Sequence, residues 1–259
     1  MPSRGQITVV VPAFDEAPRI GRVVAAMPAE VGRIVIVDDA SRDATREAAL
    51  AVADPRVTVI RHAENRGVGA AIVTGYEEAM RAPGSPDDAF VVMAGDAQMD
   101  AGDLPRVAAP VLAGEAGYVK GDRFGAPDVA RVMPAARLLG GRVLSWMTSR
   151  AIGVPIRDSQ CGYTALARWA CERLDLDGLW PRYGYPNDLL SQLALREIPI
   201  VEVPVRPVYA DEVSGLRAYN ALGIARLVAR AYVRRVTSRA RAPRSVAREA
   251  ARDRDRTAP

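Results

Sequence analysis

Of 35 basic residues only Lys120 is a lysine, and His62 is the single histidine in a chain of 259 residues. A serine triad or a multi-histidine metal centre would have to run through His62 alone. Cys161 and Cys171 are the only cysteines, too few for a disulfide framework. Nothing at the N-terminus resembles a secretory signal, so a cytosolic face is expected. A membrane-spanning helix needs ~18 apolar residues in a row. The best candidate is broken by Arg137, Arg142 and Arg150, so no transmembrane helix is expected.

What is present is ordinary globular material, 49% hydrophobic and 25% charged, which excludes a fully disordered chain. The length suits one large α/β domain with at most a short appendage. The near-exclusive use of arginine reads as genome composition rather than as selection at each site. The net charge of +4 is unevenly spread. Arg217 to Pro259 carries +9, and the remainder carries −5. Such asymmetry points to an anionic membrane or nucleic-acid contact, or else to a solvated tail.

Ile7 to Val11 is a β-branched run ending at Pro12, the pattern of a buried parallel strand. Helical spacing predicts a helix over Ala17 to Met27, with Pro18 in its first turn. Further strands are expected at Arg33–Val37, Val57–Ile60 and Ala89–Met93. Helices are expected from Arg42, capped by Ser41, to about Ala53, and over Ala70–Met80. This alternation predicts a mainly parallel, doubly wound α/β sheet with helices on both faces. Beyond it we expect helices at Leu104–Leu112, Ala135–Ile152, Asn187–Arg196 and Leu216–Val236. Strands are expected at Ala116–Val119, Ser159–Ala165 and Ile200–Val205, the last near an edge because of Pro204. Arg123–Met133 reads as a loop.

Open α/β sheets bind ligands beyond the carboxyl ends of their strands. There the sequence places Pro12-Ala13-Phe14-Asp15-Glu16, then Asp38-Asp39, then Asn65-Arg66-Gly67-Val68-Gly69, then Ala94-Gly95-Asp96-Ala97-Gln98-Met99-Asp100. Each has an ordinary explanation on its own. Asp15 and Glu16 would complement a helix dipole, Asp38-Asp39 would cap a turn, the glycines would make a tight turn, and Asp96 and Asp100 would be solvated. Massed at one rim, however, such carboxylates repel unless a cation or hydrogen-bond donors compensate.

In that order these segments resemble the inverting family-2 glycosyltransferases of GT-A fold. More narrowly they resemble the dolichyl- or polyprenyl-phosphate mannosyl and glucosyl transferases. Lys120-Gly121-Asp122-Arg123-Phe124 is similar to that group's Gly-x-Arg-aromatic segment, and Asp158-Ser159-Gln160-Cys161-Gly162-Tyr163 to its Asp-x-Gln-Cys-Gly-Phe segment. The match spans about Ile7 to Gly215. The resemblance implies that Pro12, Ala13, Phe14, Glu16, Asp38, Asp39, Arg66 and Gly69 bind the nucleotide. It implies that Asp96 and Gln98 bind Mg²⁺ or Mn²⁺, although Ala94 replaces the first carboxylate of the family's Asp-Ala-Asp-x-Gln pattern. Arg123 and Arg137 match arginines that hold the acceptor phosphate, in keeping with the bidentate fork of guanidinium.

The implied reaction moves a sugar from a UDP- or GDP-sugar to polyprenyl phosphate. An anionic acceptor needs positioning more than a base. A hydroxyl acceptor would need a carboxylate base, for which Asp158 and Asp188 are the candidates. A non-catalytic nucleotide-sugar-binding protein is the third reading, motivated by Ala94. We expect a domain over 1–215, an amphipathic basic helix over 216–240 and an Arg-rich disordered tail over 241–259. The helix suits attachment to the cytoplasmic face of an anionic membrane, or to a membrane partner subunit. Nucleic-acid binding is disfavoured, since no recognised module accompanies the charge.

Overall fold

The continuous β-branched run Ile7–Ala13 forms β1, buried along its whole length. Such a strand must be covered on both faces, as in parallel sheets. The computed structural model describes residues 5–208, 223 and 226–237, and among them a seven-stranded sheet is built around β1. Its strands are β2 (Val31–Asp38), β3 (Val57–Arg61), β4 (Ala89–Val92), β5 (Tyr118–Asp122), β6 (Thr164–Ala167) and β7 (Ile200–Pro204). The order is β3-β2-β1-β4-β6-β5-β7. β1 pairs in parallel with β2 and β4, and β2 with β3. β6 runs antiparallel to both β4 and β5, while β7 is parallel to β5.

The chain steps outward from β1 to β3 and then crosses back to β4. Right-handed crossovers therefore put α1 (Ala17–Ala25) and α2 (Thr45–Leu50) on one face and α3 (Val68–Arg81) on the other. The reversal makes the carboxyl ends of β1 and β4 a topological switch point, where a crevice opens. α1 buries Ile20, Val23 and Val24. α3 lies against β1 so closely that a Cβ on Gly75 would come within 2.2 Å of Val10 Cγ1.

On the other half of the sheet α4 (Leu104–Leu112) buries Leu104, Val107, Ala108 and Val111. α5 (Val129–Val132), α6 (Ala135–Ile152), α7 (Arg168–Cys171) and α8 (Tyr185–Leu195) follow. A last helix, α9, spans 226–237. Among the described residues no helix is long and apolar enough to cross a membrane.

Most elements lie where periodicity predicts them, and β7 is an edge strand ending on Pro204. Three expectations are corrected. The strand expected over Ser159–Ala165 is β6, Thr164–Ala167. The residues before it turn about Asp158, which accepts the N–H groups of Gln160 and Cys161. The helix expected from Arg42 begins at Thr45, because the Ser41 hydroxyl accepts the Asp15 N–H instead of capping its own helix. Arg123–Met133 is not all loop, since α5 adds one helical turn. α7 was not expected at all. Of the helix expected over Leu216–Val236, residues 226–236 are helical; its other residues, apart from helical Gly223, and the 241–259 tail lie outside the described residues.

Val is stiff at χ1, so Val10 cannot swing clear of a side chain at position 75. Gly75→Ala is expected to cost about 1–3 kcal/mol by overpacking, read as a lower denaturant midpoint with unchanged slope.

Candidate active site

The loop after β1 is clamped to the loop after β2. Asp15 has φ +56°, and its N–H donates to Ser41 Oγ at 2.9 Å. Its carboxylate accepts the Arg42 N–H at 2.7 Å and pairs with the Arg42 guanidinium at 3.0 Å. The Glu16 N–H donates to Thr45 Oγ1 and the Ala17 N–H to Asp43. Desolvation opposes ionisation of Asp43, but hydrogen bonds from the Thr45 hydroxyl and from backbone amides prevail and hold its pKa low. Arg42 lies over the Phe14 ring, 5.5 Å from its centroid. Asp15 is thus a loop clamp rather than a helix-dipole charge.

Asp38 ends β2 with 1% exposure. Its Oδ1 accepts the Ser41 N–H at 2.8 Å. Its Oδ2 has no hydrogen-bond partner, and the Arg61 guanidinium stands 3.5 Å away. A buried acceptor without a donor is costly unless something else supplies one. Asp38 is therefore a ready receptor for a ligand N–H.

Asp39, beside it, is fully occupied. Its Oδ1 accepts the Arg66 N–H at 2.9 Å and lies 2.7 Å from His62 Nδ1, while Oδ2 accepts the Gly67 N–H at 2.7 Å. His62 is buried, its Nε2 3.0 Å from Thr74 Oγ1. Asp39 and His62 shape the loop after β3 from beneath. Gly67 takes φ +97°, and a Cβ there would meet Pro181 O at 2.6 Å. A Cβ on Gly69 would meet Trp180 O at 2.3 Å. The Ala70 N–H donates to Pro181 O at 3.0 Å. The Trp180–Pro181 backbone therefore sits directly on this loop, and Gly69 is buried beneath it.

The loop after β4 lies beside β1, where the Gly95 N–H donates to Pro12 O. Asp96 Oδ1 accepts the Gln98 N–H at 3.0 Å, and Ala97 takes φ +60°. The Asp100 side chain caps the following 3-10 turn at Gly102. Among the described residues no three His, Cys, Asp or Glu converge as a metal cluster. Asp96 and Gln98 still offer a carboxylate and an amide oxygen, hard donors of the kind Mg²⁺ and Mn²⁺ take when phosphate and water complete the shell.

A second cluster forms where β5 meets the β6 approach. Asp158, with no exposure, receives Arg123 through Nε at 2.7 Å and Nη2 at 2.9 Å. Burial opposes its ionisation, but the hydrogen bonds and charge of Arg123 outweigh this and keep its pKa below the usual carboxylate value. Lys120 is wholly buried, its ammonium donating to the Cys161 carbonyl, and burial pushes its pKa down. Glu202 accepts the Arg157 and Asp158 N–H groups, and burial pushes its pKa up. Arg137 lies half-buried in the first turn of α6. A cavity of about 570 Å³ opens alongside, lined by Asp122, Phe124, Arg142, Trp146 and Arg157.

Asp188, in the first turn of α8, is 3% exposed. Its Oδ2 accepts the Trp180 N–H at 3.0 Å and its Oδ1 pairs with Arg234 of α9 at 2.9 Å. Both carboxylates considered as bases are thus engaged on both oxygens. Sequence reasoning missed the Ser41–Asp43–Thr45 clamp, the Trp180–Pro181 cover and Arg234. It also assigned no role to Lys120, although a lone lysine among arginines is a visible signal.

The model of the family described as "Glycosyl transferase family 2" matches residues 8–171. An uncharacterised glycosyltransferase of Mycobacterium tuberculosis is 32% identical over 205 residues, which cover 77% of this chain and 84% of that protein. The UDP-N-acetylglucosamine–dolichyl-phosphate N-acetylglucosaminyltransferase of Methanococcus voltae is 28% identical over 220 residues, with 79% and 86% covered. Among solved structures, glucosyl-3-phosphoglycerate synthase of Mycobacterium tuberculosis, in complex with Mn²⁺, UDP and glucosyl-3-phosphoglycerate, aligns with a TM-score of 0.65. That alignment covers 89% of this chain and 80% of the other at 20% identity, so it speaks for the fold, which is GT-A. Strand order, strand-end loops and the family-model match agree: the chain belongs to glycosyl transferase family 2.

Proposed function

We propose that this glycosyltransferase moves a sugar from a UDP- or GDP-sugar to the phosphate of a polyprenyl lipid, with inversion, at the cytoplasmic face of the membrane. The observation that carries the acceptor is the double engagement of both candidate bases. Asp158 spends both oxygens on Arg123, and Asp188 spends both on Trp180 and Arg234. A hydroxyl acceptor would find neither carboxylate available to take its proton. A lipid phosphate is already an anion and needs orientation and charge balance instead.

On the donor side, Asp38 Oδ2 accepts an N–H of the nucleotide base, with Pro12, Ala13, Phe14, Glu16 and Arg66 lining the crevice. Asp39 and Gly69 support that crevice from below. Asp96 and Gln98 would hold Mg²⁺ or Mn²⁺ together with diphosphate oxygens. When bound, such a cation offsets the charge that builds on the leaving nucleoside diphosphate. On the acceptor side, Asp158 fixes the plane of the Arg123 guanidinium, and Arg137 adds a second cation from α6. Asp158 and Asp188 are positioning groups in this scheme.

Attachment to the membrane is supported by apolar side chains that face outward. On α6, Leu139 is 67% and Trp146 66% exposed, with Val143 between them. On α9, Tyr232, Val233 and Val236 are exposed. Arg142, Arg150 and Arg230 accompany these residues on the same two helices. Apolar residues interspersed with arginines suit an anionic bilayer surface.

The direct test is transfer of labelled sugar from UDP- and GDP-donors into lipid extract. Label should enter a polyprenyl phosphate, chelation should stop it and Mn²⁺ or Mg²⁺ should restore it. Asp96→Ala should remove it, and a folded chain that labels no lipid phosphate sinks the acceptor reading. Should label enter a small phosphorylated hydroxy acid instead, the solved neighbour's kind of acceptor is favoured. Asp158→Asn should lower transfer on the order of 100-fold by releasing the Arg123 fork, with nucleotide affinity unchanged in calorimetry. The chain should sediment with phosphatidylglycerol vesicles and not with phosphatidylcholine ones, and added salt should release it. Equal indifference to both vesicle types removes the membrane surface from the scheme.

A further inference from the structure

We propose that Arg234 of α9 is a positioning residue for the donor site, acting through Asp188 and the Trp180–Pro181 backbone. The inference rests on the donor reading above and goes beyond it by tying the C-terminal helix to nucleotide binding. α9 is seated by Leu227, Val228 and Ala231, all buried. Arg234 follows Ala231 by three residues and so shares its face. From there Arg234 Nη1 reaches Asp188 Oδ1 at 2.9 Å.

Asp188 transmits this contact because its two oxygens point to different partners. Oδ2 accepts the Trp180 N–H at 3.0 Å. The carbonyls of Trp180 and Pro181 then meet the donor loop from above. Pro181 O accepts the Ala70 N–H, one of the first-turn N–H groups that α3 cannot satisfy internally. Gly67 and Gly69 lack side chains where those carbonyls come closest. From below, Asp39 holds the N–H groups of Arg66 and Gly67. The donor loop is therefore gripped between Asp39 and a strap whose far end is anchored on α9.

Arg234 is separated from the loop by a carboxylate, two backbone units and 46 residues of sequence to Asp188, so its effect is one of alignment. Without Arg234, Asp188 is a buried carboxylate facing one backbone N–H. It must then rotate towards water to regain a donor. That rotation loosens its hold on Trp180 and with it the cover over Gly67–Ala70. Lysine at 234 keeps a cation in reach of Asp188, whereas methionine keeps only the stem.

The full chain and its Arg234→Met, Arg234→Lys and Asp188→Asn variants are compared by amide hydrogen exchange, by calorimetry with UDP and GDP plus Mn²⁺, and by donor and acceptor KM. Arg234→Met should speed exchange at the Trp180 and Ala70 amides while leaving Gly121 and Cys161 as they are. It should weaken the nucleotide that binds by about tenfold and raise donor KM but not acceptor KM. Arg234→Lys should restore most of each change, and Asp188→Asn should mimic the methionine variant. Unchanged exchange at Trp180 and Ala70 overturns the proposal, as does native nucleotide affinity in Arg234→Met or an equal rise in both KM values. If the native chain binds neither nucleotide, the donor reading itself falls, and the exchange data alone decide whether Arg234 grips the loop.

Discussion

The Asp39 carboxylate holds the loop after β3 in shape. It stands where β2 ends, 3% exposed, and must be answered by donors because water cannot reach it. It finds them in the Arg66 and Gly67 N–H groups and in the His62 ring. That choice bends the loop after β3 back over β2 and places the start of α3 at the rim. The single histidine thus serves as a brace between Asp39 and Thr74. Gly67 follows as a requirement, since φ +97° with Pro181 O at the side-chain position leaves no room for a Cβ.

The acidic rim raised the question of how so many carboxylates coexist. They do not share one counter-ion. Asp15 is answered by Arg42, Asp43 by Thr45 and backbone amides, Asp158 by Arg123, and Asp188 by Arg234 and Trp180. Pairing each acid separately turns repulsion into loop definition, because the Asp15–Arg42, Asp158–Arg123 and Asp188–Arg234 pairs each tie two segments distant in sequence. What remains after this pairing is the informative part. Asp38 keeps a buried oxygen that makes no hydrogen bond and has the Arg61 ion pair at 3.5 Å.

The β1–β4 half of the fold was legible because buried parallel strands read as unbroken β-branched runs, and the helices between them keep a 3.6-residue period. β6 was misplaced because Ser159–Tyr163 looks extended in composition but turns about Asp158, a fact of hydrogen bonding that no periodicity carries. The start of α2 slipped for the same reason, Ser41 being spent on Asp15. Site residues on strand ends were legible by position, whereas their roles were not. Whether an aspartate is a base, a ligand or a clamp depends on partners 35 residues away for Asp158 and 46 for Asp188. Those separations hide from a linear reading, so the arginine that Asp158 holds and the strap that Asp188 holds show only in the folded chain.

The charge asymmetry also acquires a structural meaning. A basic C-terminal segment could have been a mere solvated tail, yet its described part is a helix with an inner face buried against the core and Arg234 paired inside the protein. On its outer face Tyr232 and Val233 line, with Trp146 and Met147 of α6, a cavity of about 910 Å³, and Val236 is exposed one turn on. α6 in turn carries Arg137 in its first turn and packs Ser145 against Ser159 beside the Arg123–Asp158 pair. One helix pair thus borders the Arg123–Asp158 cluster, reaches the loop after β3 through Asp188 and the Trp180–Pro181 backbone, and turns apolar side chains outward. A surface that bound lipid there would bear on both halves of the site at once, through α6 to Arg123 and Arg137 and through α9 to the loop after β3.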